Sequence, residues 1–80
     1  MENILISIIV LNYNGKEYLE RCFQSLLQLR YKNVELILVD NASTDESVTF
    51  MRKKFPDVKI LENSDNNHSH IVKQVRITNN

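Results

Sequence analysis

Glycine is almost missing from this 80-residue chain, which contains one, Gly15. The dinucleotide-binding fingerprint needs several closely spaced glycines, and the P-loop needs two glycines followed by lysine and then serine or threonine. Here Gly15 and Lys16 are followed by Glu17. The sequence therefore excludes a dehydrogenase of the dinucleotide-binding type and a P-loop protein.

Cysteine is equally scarce, because the chain has one, Cys22, which cannot form an internal disulfide. Leu19, Phe23 and Leu26 lie around it at helical spacing, which predicts a small buried side chain on a helix. A catalytic thiol needs a basic partner, and none is evident nearby. We expect Cys22 to be structural.

An excess of charge of either sign is missing too, since Lys plus Arg and Asp plus Glu number 10 each. No net field attracts nucleic acid, so we expect no nucleic-acid partner.

The apolar run 4–11 is too short to span a bilayer and follows Glu2 rather than a cationic segment. We therefore expect no transmembrane segment, no export signal and a cytoplasmic location.

What the chain does contain is an alternation of apolar runs with amphipathic segments. Apolar residues make up 42% and charged residues 25%, as in folded soluble domains. The pattern predicts strands at residues 4–11, 35–39 and 58–61, one helix from 17 to about 30, and a second that ends before Pro56. The fold class is α/β, a β-α-β-α-β half of a doubly wound parallel sheet. Because the first strand is apolar on both faces, we expect helices on both sides of it.

Two capping boxes are predicted at the helix starts. Asn14 with Glu17 matches a variant of this motif for the first helix, and Ser43 with Glu46 matches it for the second.

The last part of the chain has a different character. Residues 63–70 have the polar composition of a turn, and residues 71–80 show only weak alternation of apolar and polar positions, so no element is assigned there. His68 and His70 form an H-x-H pair without an evident third ligand, and we predict no metal site.

Two polar loops follow neighbouring strands, residues 12–15 and 40–45. Ligands of open α/β sheets bind beyond the carboxyl ends of the strands, where such loops meet. Tyr13 offers a flat face for a base, and Asp40 can accept hydrogen bonds from a base or ribose. The alternative is that Asp40 only braces the turn. Spacing alone leaves both interpretations open.

Three blocks in this order resemble the opening of family 2 glycosyltransferases: residues 7–15 (SIIVLNYNG), 25–27 (SLL) and 35–47 (ELILVDNASTDES). The likeness continues through residues 55–58 and 62–66, and the second-loop sequence is similar to rhamnosyltransferase-like members. The resemblance implies a GT-A fold and transfer of a sugar from a nucleotide diphosphate donor to an acceptor hydroxyl with inversion. Residues 1–66 would then be the nucleotide-binding part, and 67–80 a divergent polar tail.

By the same resemblance, Asn12, Tyr13 and Asn14 would line the base pocket, and Asp40 and Asn41 would contact the base and ribose. Many family members have a second acidic residue where Asn41 stands. The donor nucleotide, whether of uridine, thymidine or guanosine, stays open.

Two elements of the family are missing from the sequence: a D-x-D motif, which holds Mg²⁺ or Mn²⁺ on the donor diphosphate, and the later acidic general base. We therefore expect a truncated chain without its own cofactor or catalytic residue, inactive alone, that binds a nucleotide-sugar donor weakly. The alternative is a noncatalytic remnant that self-associates through strand 4–11, one edge of which would lack its usual neighbour.

Overall fold

The computed structural model describes residues 4–64 and 72–79, the latter as backbone. Two helices and four strands follow one another as β1 (Ile6–Tyr13), α1 (Lys16–Leu26), β2 (Val34–Asn41), α2 (Ser47–Lys54), β3 (Lys59–Asn63) and β4 (Val72–Asn79). The strands form one sheet in the order β3-β2-β1-β4, in which β1, β2 and β3 are parallel. The predicted α/β class and its β-α-β-α-β order are confirmed.

β4 is the element that the sequence does not predict. It pairs antiparallel with β1 along its whole length, from Ile6 opposite Asn79 to Tyr13 opposite Val72. The predicted open edge of strand 4–11 is therefore wrong, because β1 has a neighbour on both sides. The self-association that was inferred from that edge loses its structural reason.

The register of the parallel strands fixes the later arrangement of the loops. Asn12 of β1 lies opposite Asp40 of β2, and the next residue of β2, Asn41, lies opposite Asn63 of β3. The carboxyl ends of three strands thus meet at one edge of the sheet. The amino-terminal ends, with Ile6 opposite Val34, lie at the opposite edge.

The core lies between one face of the sheet and the two helices. Leu38 of β2, Phe23 of α1 and Met51 of α2 are fully buried. Phe55, just after α2, packs its ring 5.8 Å from that of Phe23. Cys22 packs against the same cluster, as predicted, and its burial raises the pKa of the thiol.

The expectation of helices on both sides of β1 is wrong for the residues that the structure describes. α1 and α2 pack on the face that carries Val10 and Leu38. Ile9 and Ile37, which alternate with those two residues and face the other way, are partly exposed. Within residues 4–64, the helices therefore cover one face of the sheet and not the other.

The core predicts unequal effects of the same substitution on adjacent strands. Leu38→Ala removes a fully buried side chain and is expected to lower the free energy of unfolding by about 2 to 5 kcal/mol. Leu61→Ala, at a position 51% exposed, is expected to change it by less than about 1 kcal/mol. Urea unfolding followed by circular dichroism measures both, and similar losses would contradict the assigned core.

Candidate nucleotide-binding edge

A buried hydrogen bond joins the carboxyl ends of β1 and β2. The Asn12 Nδ2 group donates to Asp40 Oδ1 over 2.7 Å. Both residues are nearly inaccessible, with exposed fractions of 1% for Asn12 and 2% for Asp40. The two loops that the sequence places side by side are therefore physically connected.

Ser43 completes this connection. Its backbone N–H donates to Asp40 Oδ2 over 3.0 Å, and its hydroxyl donates to Asp40 Oδ1 over 2.8 Å. The same hydroxyl oxygen accepts from the Asn12 side chain at 3.2 Å and from the backbone N–H of Asn14 at 2.9 Å. We call Asn12, Asp40 and Ser43 the loop brace. Asp40 accepts three hydrogen bonds within it, which satisfies its buried carboxylate.

Ser43 consequently does not cap α2, and the predicted capping box with Glu46 is wrong. α2 starts at Ser47, and Asp45 serves its first turn instead, since Asp45 Oδ1 accepts from the Ser47 backbone N–H over 3.0 Å and from the Ser47 hydroxyl. Glu46 has the left-handed backbone conformation, with φ of 68°.

Asn14 does not cap α1 either, so the capping box predicted from Asn14 and Glu17 is also wrong. Its φ is 53°, and its Oδ1 accepts from the backbone N–H of Thr44 over 2.8 Å. The start of α1 takes its acceptors from elsewhere. Asn12 Oδ1 accepts from Gly15 N–H over 3.0 Å, and Asp45 Oδ2 accepts from Lys16 N–H over 3.0 Å.

Asp45 therefore accepts hydrogen bonds at the starts of both helices, and these bonds affect the pKa of its carboxyl. Burial alone would raise the pKa of its carboxyl. Hydrogen bonds from the Ser47 hydroxyl and from the backbone N–H groups of Lys16 and Ser47 outweigh burial and lower the pKa. The ionised form of Asp45 is the one that holds the loops and helices together.

Asn63 also lies at this edge, although no sequence motif assigns it a role. Its Nδ2 donates to Asn41 Oδ1 over 2.6 Å, at the position where β2 and β3 are in register. Two features of the sequence point to Asn63. It lies in residues 62–66, which resemble the family, and the ends of β2 and β3 are expected to be adjacent.

The five residues predicted to bind a nucleotide divide into two groups. Asn12 and Asp40 are buried in the loop brace, whereas Tyr13, Asn14 and Asn41 are partly exposed at the same edge. A groove of about 500 Å³ opens beside them, lined by Asn14, Lys16, Glu17, Glu20, Asp45 and Phe50. Of the five predicted residues, that groove includes Asn14.

A metal ion has no evident ligands in the part of the chain that the structure describes, where no group of three or more His, Cys, Asp or Glu side chains could hold one. The Mg²⁺ or Mn²⁺ expected for the full-length family stays a prediction from the sequence resemblance. His68 and His70 lie outside the described residues.

Neither α1 nor α2 has the length and apolar character that a membrane-spanning helix requires.

The family model described as glycosyl transferase family 2 matches residues 7–72, which include both loops, β2, β3 and all of β1 except Ile6. The chain belongs to glycosyl transferase family 2. The matched range extends beyond residue 66, where the sequence resemblance had ended, as far as the first residue of β4.

The curated relatives include glycosyltransferases and a polymerase. Glycosyltransferase GlyG of Streptococcus pneumoniae serotype 4 is 49% identical over 43 residues, 54% of this chain and 14% of that protein. An uncharacterized glycosyltransferase of Haemophilus influenzae is 33% identical over 70 residues, 82% of this chain and 22% of that protein. The teichoic acid poly(glycerol phosphate) polymerase of Staphylococcus epidermidis is 33% identical over 70 residues, 81% of this chain and 10% of that protein.

The aligned part of this family 2 chain thus spans about a seventh to a fifth of the length of GlyG and the Haemophilus protein. Among the solved structures, none gives a significant match.

The loop brace predicts that neutralising the Asp40 carboxylate lowers the free energy of unfolding substantially. Asp40→Asn replaces an acceptor oxygen with an amide that faces hydrogen-bond donors, and we expect a loss of about 1 to 3 kcal/mol in the free energy of unfolding. Asp57→Asn, the same change at an exposed turn position, is expected to stay within about 0.5 kcal/mol. Equal effects in urea unfolding would show that Asp40 does not support the loops.

Asp45 predicts a specific pH dependence. A carboxyl whose pKa is lower in the folded than in the unfolded state stabilises the fold above its unfolded pKa, about 3.9. That contribution is lost as the pH falls through the lower folded value. We therefore expect the difference in stability between the wild type and Asp45→Asn to shrink as the pH is lowered from 6 toward about 2.5. A difference that is constant over this range in urea unfolding would contradict the assignment.

Proposed function

We propose that this family 2 chain binds the nucleotide part of a nucleotide-diphospho-sugar at the carboxyl edge of its sheet. The observation that carries the proposal is the loop brace, which fixes two polar loops in a single arrangement before any ligand arrives. Preorganised loops favour binding because less conformational freedom is lost when the ligand associates.

The partly exposed residues on these loops supply the contacts. Tyr13 offers an aromatic face on which a base can stack. The Asn41 Oδ1 atom accepts from Asn63, and its Nδ2 group donates to no described residue. We therefore assign Nδ2 as the donor to a carbonyl oxygen of a base or to a ribose hydroxyl. The Asn14 Oδ1 atom is engaged by Thr44, which leaves its Nδ2 group as a donor as well.

Asn12 and Asp40 support the site in a different way under this proposal. Because they are buried and bonded to each other and to Ser43, they act mainly by holding the loops in place. This combines the two interpretations that the sequence left open, since bracing the turn is how Asp40 serves a nucleotide.

The chain resembles one part of longer glycosyltransferases, and sugar transfer is proposed for such longer proteins. We infer that a donor bound here would react by inversion at an acceptor hydroxyl, with the metal ion and general base supplied by residues other than those described. The similarity to a teichoic acid polymerase supports a role in polysaccharide synthesis. The rhamnosyltransferase-like subgroup and the cytoplasmic location stay predictions from the sequence.

Isothermal titration calorimetry with UDP, dTDP and GDP tests the binding. We expect weak binding of at least one of them, and a loss of about fivefold to a hundredfold in affinity for Tyr13→Ala, the range that stacking of one base supports. Tyr13→Phe keeps the ring and should bind like the wild type.

Tyr18→Ala is the matched control, because Tyr18 is 41% exposed on α1 and lies outside both loops. It should leave the affinity unchanged. Absence of heat with all three nucleotides, or equal losses for Tyr13→Ala and Tyr18→Ala, would refute the proposed site.

A further inference from the structure

The connection between α1 and β2 exposes apolar side chains at the edge of the sheet opposite the loop brace. Leu27 is 57% exposed, Leu29 39% and Tyr31 39%, and the neighbouring Ile4 is 41% exposed. We call residues 27–33 with Ile4 the basal patch. Large apolar side chains grouped in this way on a small domain indicate an interaction surface.

The basal patch is also basic. Arg30 and Lys32 alternate with its apolar residues, and no acidic residue occurs between positions 21 and 34. Within the described part of the chain, neither cation forms an ion pair. The nearest following acid, Glu35, is engaged by the Ser7 hydroxyl over 2.6 Å and by Lys59 at 3.9 Å. Among the described residues, the basal patch therefore carries positive charge in a chain of zero net charge.

The patch is held in a defined shape by hydrogen bonds to the sheet. The Tyr31 hydroxyl donates to the Ile4 carbonyl, and the Ile6 N–H donates to the Asn33 carbonyl over 3.0 Å. The Lys32 Nζ donates to the Leu29 carbonyl over 3.5 Å, which places the cation over the apolar turn. Exposure of Leu27, Leu29 and Tyr31 is thus a property of the folded chain.

We propose that the basal patch docks the protein on an anionic lipid surface. Alternating leucine, tyrosine and cationic side chains match the two layers of a membrane interface, because apolar groups enter the acyl boundary while Arg30 and Lys32 stay among anionic headgroups. Charge complementarity favours this occupant over a second copy of the chain, since two basal patches facing each other would bring like charges together.

Vesicle flotation of the 80-residue chain tests the proposal. We expect binding at millimolar lipid to vesicles of phosphatidylcholine with phosphatidylserine, little binding to phosphatidylcholine alone, and release as the NaCl concentration rises. Binding that is equal on both vesicle types, or absent from both, would overturn the proposal.

Two matched pairs of variants locate the surface. Lys32→Gln should weaken binding about fivefold, whereas Lys16→Gln, the same change at the loop-brace edge, should leave it unchanged. Leu27→Ser should weaken binding, whereas Leu61→Ser, at a position 51% exposed on β3, should not. Circular dichroism confirms that each variant is folded.

A further outcome separates lipid from protein as the occupant. If sedimentation shows concentration-dependent association that Leu27→Ser abolishes, and no vesicle binding occurs, the patch is an interface between copies and the lipid proposal is wrong. The vesicle experiment and the nucleotide titration test separate surfaces, because Lys32 and Leu27 lie at the opposite edge of the sheet from Tyr13 and Asn41.

Discussion

The buried hydrogen bond between Asn12 and Asp40 is the constraint from which the candidate site follows. A carboxylate that is 2% exposed needs donors, and Asp40 receives them from the Asn12 amide and from the backbone and hydroxyl of Ser43. Once Ser43 is drawn back onto Asp40, its hydroxyl oxygen lies where it accepts from the Asn14 N–H. The shapes of both loops are therefore consequences of one buried charge and its partners.

The elements of the fold were predictable because their signals are local. Apolar runs and three-to-four-residue periodicity mark β1 to β3 and both helices, and the helix before Pro56 ends at Lys54, as predicted. Their adjacency in a parallel sheet follows from the general rules for crossover connections. β4 was missed because its weak alternation becomes a strand only by pairing with β1, some sixty to seventy positions away in the sequence. Such pairing has no local signature.

The helix caps show the same division between local and distant causes. Asn14 and Ser43 have the residue types and spacing of N-caps, yet each takes a partner about thirty positions away, Thr44 for one and Asn12 for the other. The helix starts are then served by Asp45, whose two oxygens reach Lys16 and Ser47. A capping motif competes with every other donor or acceptor that the fold brings near, and here the buried brace prevails. Predicting the loops correctly would have required the register of β1 against β2.

Helix α1 determines how the two edges of the sheet relate to each other. It begins beside the loop brace and ends at the basal patch, and its 11 residues span about 16 Å. At that distance, and with no shared side-chain partner, substitutions at one edge are expected to act independently of those at the other. The proposed nucleotide site at Tyr13 and Asn41 and the proposed lipid-binding surface at the opposite edge are therefore compatible within one folded chain. The geometry of a β-α-β unit imposes this separation, because the helix must return the chain from the carboxyl end of one parallel strand to the amino end of the next.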